Sequence, residues 1–215
     1  MGIKKNYKGY KSYQYLEKGK DYKPYALAKE IDRVPSYLIP LSQAEENRVK
    51  MIAEKSIVIS LHDHPVVFPE NMEDLFDYNR QGRQATAFEG LNASCLDAVF
   101  DNMMDGGCMI TSKGGWKWEE VLFDLGVRLC DLAHQDFIIV CRKVEDITCA
   151  HKEGKIALIP TLESCTMIEN ELDRMEILYG FGVRMMGLVY SESNVRVRPE
   201  RESGWRAHLF WPPGD

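Results

Sequence analysis

Two histidines stand one residue apart where an apolar run closes: His62 and His64 in "SLHDHPVVFPE", residues 60–70. In an extended backbone, residues two apart project to the same side, so both imidazoles can reach one ion. Imidazole nitrogen binds zinc at about 2.0–2.1 Å. Pro65 cannot donate to a sheet ladder, which ends the strand at the pair and puts it on a C-terminal rim. The ordinary alternative is two hydrogen-bonded core histidines, and the spacing at a strand end favours metal over it. Glu163 follows "IALIPTL". An ionised carboxylate at the end of a buried strand is costly without positive charge nearby. A metal ion, an Arg or Lys partner, or a role capping the next helix would each meet that need. Asp63 points away from the two histidines and reads as a supporting residue or a partner for a neighbouring loop. His134 and His151 lie in helical stretches and read as surface or packing residues.

Positioning these groups requires strands and helices in alternation, and the chain supplies both periods. Short β-branched runs occur at 57–61, 108–112, 137–141, 156–162 and 183–190. Between them lie helical stripes: Leu96, Val99, Phe100 and Met103; Trp118, Val121, Leu125, Leu129 and Leu132; Ile168, Leu172, Met175 and Tyr179. The last is opened by the box "TMIE" and closed by Gly180 and Gly182, and a shorter helix fits "VEDITCAHKEG". Upstream, "SQAE" is a capping box that starts a helix at Ser42. Apolar strands alternating with amphipathic helices predict an α/β fold with a parallel sheet. A doubly wound open sheet and a (β/α)8 barrel both satisfy that pattern. No glycine-rich phosphate loop follows any strand, whereas polar residues gather at strand C-termini: His62, His64, Thr111, Ser112, Glu163, Tyr190 and Ser191. That distribution favours a TIM-barrel type, here truncated to about five βα units.

Composition narrows the class further. With 45% hydrophobic residues, 215 residues can bury a real core, and a net charge of −6 argues against nucleic acid or anionic lipid as a partner of the body. Residues 1–40 stand apart as a basic, Tyr/Lys-rich N-terminal arm: seven Lys face one Glu and one Asp in the first 23 residues. With little periodicity and with Pro24, Pro35 and Pro40, this stretch reads as an arm or a cover segment, and against nucleic-acid binding its Lys and Tyr read as solvated and partly disordered. Six cysteines without C-x-x-C spacing suit reduced thiols in apolar segments. No signal-peptide core and no run of ~18 apolar residues is present, so the expectation is a soluble, cytoplasmic protein with no membrane contact.

The stretches "SLHDHP", "FEGLNASCLDAVFDNMMDGG", "LCDLAHQD" and "ALIPTLESCTMIENELDRMEILYGFGVRMMGLVYSESN" resemble the N-terminal half of the membrane (renal) dipeptidase family of zinc peptidases, amidohydrolase-type barrels. The similarity runs from about residue 45 to 202 and is strongest over 156–194. It implies that His62 and His64 bind metal, although the family more often has Asp at the second position, and that Glu163 bridges two metals. It also implies that Tyr190 stands where the family often has a substrate-contacting His. The implied chemistry is two-metal hydrolysis of dipeptides, including those with a C-terminal D-residue, in which zinc ions activate a water and polarise the scissile carbonyl. A homodimer is the implied assembly. The family's proton-shuttling Asp and remaining histidines belong to later strands, so the catalytic residues are unknown here and the zinc site is at most partial. Residues 203–215 depart from the family pattern and fit a one-base slip of the reading frame, which leaves His208 outside the site. The expectation for the 215-residue chain is impaired peptidase activity. Two other readings stay open: a TatD-like nuclease, for which the basic arm would have a use, and a non-catalytic half-barrel.

Overall fold

The entry to the body is fixed by local chemistry. At the start of α1 (Gln43–Lys55), Ser42 Oγ accepts from the Glu45 N–H while the Glu45 carboxylate accepts from the Ser42 N–H, as "SQAE" predicts. The structure is a computed structural model that describes residues 5–81, 83–103 and 117–188. After α1 come β1 (Ile59–Asp63), β2 (Val66–Val67), α2 (Leu75–Gln81), β3 (Ala85–Thr86), α3 (Phe88–Ala93) and β4 (Ala98–Met103). Then follow α4 (Trp118–Ala133), β5 (Ile138–Val140), α5 (Val144–Glu153), β6 (Ile156–Leu162), α6 (Asp173–Phe181) and β7 (Met185–Met186). Strands β1, β4, β6, β5 and β7 make one parallel sheet, and β2 pairs antiparallel with β3 beside it. This is the parallel α/β architecture that the alternation of strands and helices predicts.

Strand order runs β1, β4, β6, and the far edge of β6 is shared. Residues Ile156–Leu158 pair with β5, whereas Thr161 and Leu162 pair with β7. Pro160 sits where one partner gives way to the other; its missing N–H costs no ladder bond there, and its carbonyl accepts from Arg184 N at 3.1 Å. Because β5 lies beyond β6, the chain must step back one place to make β6. A right-handed crossover in the reverse direction puts its helix on the opposite face. Accordingly α4 and α3 pack against Val99, Met103, Leu158 and Leu162, while Ala150 and Ile147 of α5 pack against Ala98, Phe100, Ala157 and Ile159.

Two expectations are corrected. Residues 96–103 do not form a helix: Ala98–Met103 is the central strand β4, buried along nearly its whole length. Spacings of three and four in so short an apolar run fit either element, and a strand covered on both faces shows no alternation to separate them. "TMIE" does not open a helix either. Thr166–Ile168 is a single 3-10 turn, Glu169 adopts φ 51°, and α6 starts at Asp173. The later start turns the anticipated stripe outward: Leu172, Met175 and Tyr179 are exposed, and Leu178 is the buried contact. The helix does close at Gly182, in the left-handed region at φ 109°. The strand read at 108–112 and the 203–215 tail lie outside the described residues. The five described cysteines are free, with Cys141 and Cys165 buried and Cys95, Cys130 and Cys149 exposed.

Residues 5–30 form a strap across the body, the cover segment of the two readings and not the solvated arm. Tyr10 and Tyr13 are buried, and the Tyr10 ring meets Phe88 edge-on at 5.1 Å. Asp131 of α4, fully buried, accepts from Tyr10 Oη at 2.7 Å and from Tyr13 N at 2.8 Å. Lys5 is buried against the Leu96 carbonyl and the Asp97 carboxylate, which also faces His151 at 3.0 Å. His134, at the end of α4, stacks on Tyr15. Burial and the Asp131 bond push the Tyr10 phenol well above its ordinary range. Replacing Tyr10 by Phe removes one of the two donors on a buried carboxylate and should cost about 1.5–3 kcal/mol, to be read as a lower urea midpoint at unchanged slope. Beyond the strap, residues 31–52 are exposed, and α1 buries none of its residues.

Candidate metal centre

The three candidate ligands meet at one end of the sheet. On β1 the register with β4 runs Ile59 to Ala98 and Ser60 to Val99, then jumps to Asp63 opposite Asp101, so β1 carries one extra residue around Leu61 and His62. Such a bulge re-aims side chains. Here the His62 and His64 rings stand perpendicular with centroids 5.0 Å apart. Asp63 is spent locally, its carboxylate accepting from His64 N at 2.8 Å. On β6 the ladder with β4 closes at Thr161 opposite Asn102 and Leu162 opposite Met103, and Glu163 emerges one step later. It shares the sheet face of Asn102 and Thr161; α5 covers that face at the other end of the strands.

Glu163 Oε1 lies 3.5 Å from His64 Nε2 and 3.6 Å from His62 Nε2, and one ligand atom from each residue can be chosen so that all lie within 4.8 Å of one another. Two ligands each about 2.1 Å from a tetrahedral ion stand roughly 3.4 Å apart. The two separations from Glu163 therefore match a shared ion and exceed a direct hydrogen bond. His64 Nδ1 lies 2.7 Å from the Asn102 carbonyl, which can only accept; the proton sits on Nδ1 and the Nε2 lone pair faces Glu163. Two imidazoles and a glutamate form a donor set that catalytic zinc sites use, with a further position for water or substrate. The Glu163 side chain is 6% exposed and that of His62 is 59%, so the centre is anchored in the sheet and open on one side.

Gly187 makes the carboxylate's placement possible. Its N–H donates to Leu162 O at 2.8 Å, and a Cβ there would stand 2.1 Å from Glu163 O and 2.9 Å from its carbonyl carbon. Gly187→Ala must move the backbone that carries Glu163. We expect a loss of about 1–3 kcal/mol from overpacking together with weaker binding of a divalent ion, measured by thermal melts and metal titration on the same samples.

Asn102 is the residue sequence reasoning missed. Its amide lies 3.1 Å from Glu163 Oε1 and 3.0 Å from His62 Nδ1, and it was overlooked because its segment was read as a helix. An Asn closing a buried apolar run, "AVFDN", was the available signal. Directly across β4, Asp101 is fully buried and faces Arg128 of α4 at 3.2 Å. Thr111, Ser112, Tyr190, Ser191 and His208 lie outside the described residues.

Parallel strands with a two-histidine, one-glutamate cluster at their C-terminal ends define an α/β protein with a candidate metal centre. A model of the membrane dipeptidase family, peptidase family M19, matches residues 46–197, and the chain belongs to that family. Among solved structures, an amidohydrolase from Pseudomonas aeruginosa is similar at 17% identity and a TM-score of 0.46, over 73% of this chain and 39% of that one. The chain thus spans 39% of that protein's length. No curated protein matches it. Among the described residues, no helix is long and apolar enough to cross a membrane.

Proposed function

We propose that this chain carries the metal-binding part of a dipeptidase-type hydrolase, with zinc as the ion and a dipeptide or small amide as substrate. The observation that carries the reading is the spacing of Glu163 Oε1 at 3.5 and 3.6 Å from the two Nε2 atoms. Zinc held there would polarise a scissile carbonyl and lower the pKa of a water towards about 7. The chain's own part is to hold a charge in place: Glu163 contributes a buried carboxylate, His64 a fixed lone pair, and His62 the exposed side from which a substrate approaches.

The packed strap weighs against a nuclease. Lys5, Lys8, Lys11, Lys20 and Lys23 each pair with an acidic side chain, which leaves less charge for a phosphate backbone. The test is zinc content after dialysis, followed by assays of L,L- and L,D-dipeptides and of DNA with added zinc or magnesium. Bound zinc with measurable dipeptide cleavage supports the proposal. Protein that folds but retains no zinc, or that cleaves DNA and no dipeptide, overturns it.

A further inference from the structure

We propose that Asn102 is the positioning residue of this centre, setting the tautomer of His64 through its main chain and the aim of Glu163 through its side chain. This rests on the metal reading above. Asn102 is 5% exposed and lies between all three candidate ligands. Its carbonyl takes the Nδ1 proton of His64, so that ring offers Nε2 without rearrangement. A metal-binding histidine is held by such an acceptor, and a ligating carboxylate by a donor of its own. The Asn102 amide is such a donor: Nδ2 reaches Glu163 Oε1 at 3.1 Å.

The amide is itself fixed. Thr161, fully buried, places Oγ1 2.9 Å from Asn102 Oδ1 and 3.0 Å from the Asp101 carbonyl. Turning the amide over would set Oδ1 against Glu163 Oε1, two acceptors in contact, so the NH2 end stays towards Glu163. The same Nδ2 lies 3.0 Å from His62 Nδ1 and 3.5 Å from its Nε2, so the amide stands against the exposed His62 ring without selecting one of its nitrogens. The centre is asymmetric, with His64 and Glu163 held by Asn102 in advance and His62 on the open side.

The test is titration of wild type, Asn102→Leu, Thr161→Val and Glu163→Gln with Co2+, read by calorimetry and by the visible absorption of bound cobalt. Asn102→Leu should raise the cobalt Kd ~10–100-fold and alter the absorption band, which a purely structural role would not move. Thr161→Val should shift both in the same direction by less, with an unfolding midpoint near wild type. If Asn102→Leu binds cobalt with the wild-type Kd and spectrum while Glu163→Gln does not bind, the positioning role is overturned and the metal centre stands. If wild type binds no cobalt, both fall. Should Asn102→Leu fail to fold, Thr161→Val decides: an unchanged Kd and spectrum overturn the proposal.

Discussion

Glu163→Gln should abolish binding of a divalent ion and leave the metal-free protein as stable as wild type, or more so. The two effects have one cause. The carboxylate is almost fully buried at the end of β6, a placement that costs free energy when no cation is present. Gln has nearly the same shape and can still accept from Asn102, so the fold is kept while the charge that holds the ion is gone. Losing a residue that merely supports a ligand costs ~10–100-fold in metal affinity, and losing the only carboxylate of the three-donor set should exceed that. Calorimetric metal titration beside thermal melts in chelator checks both halves. Retained zinc affinity in the variant, or a large drop in its metal-free melting temperature, would mean that Glu163 serves the fold and not an ion.

Arg128→Met should be the most damaging single change to the body, at about 3–5 kcal/mol, because it leaves a buried carboxylate without its partner. Asp101 is fully buried on β4, and Arg128 at 3.2 Å is the cation that faces it. Burial holds the Asp101 carboxyl above its usual range; Arg128 and His64 pull it down, and Asp63 pushes it up. An acid whose pKa is raised by folding binds its proton more tightly folded than unfolded. Its contribution to stability is therefore fullest below the unfolded value and falls as pH rises through the folded one. Removing Arg128 takes away the largest opposing influence, so the variant's deficit should be greatest at neutral pH and narrow as pH falls towards the carboxylate range. Urea unfolding at several pH values measures this. The double variant Arg128→Met, Asp101→Asn should recover most of the loss, since the uncompensated charge is gone.

What could be read from the chain and what could not divides along physical lines. Helix α1 lies where its capping box puts it, α4 where its apolar stripe puts it, and α5 within the stretch that fits a short helix; these signals are local. Strands β5 and β6 are short β-branched runs and were legible for the same reason; β1 extends two residues further, which brings His62 and Asp63 into it. β4 was misread because a strand buried on both faces has no period of its own, and Asn102 was lost with it. The strap was hidden for another reason. Its tyrosines and lysines look solvated until Asp97, Asp131 and Asp136 are brought beside them, and those partners lie about a hundred residues away with no local trace. The approach of His62, His64 and Glu163 was legible because strand ends in a parallel sheet share one rim, so residue type and position sufficed.

The shared edge at Pro160 has a mechanical consequence. Below it, β6 lies between β4 and β5; above it, β6 lies between β4 and the two-residue β7, with Thr161 and Leu162 buried. The strand that presents Glu163 is therefore paired along both edges up to its last residue. Any adjustment on capture or release of an ion falls to the open side of the rim, where the His62 side chain is 59% exposed.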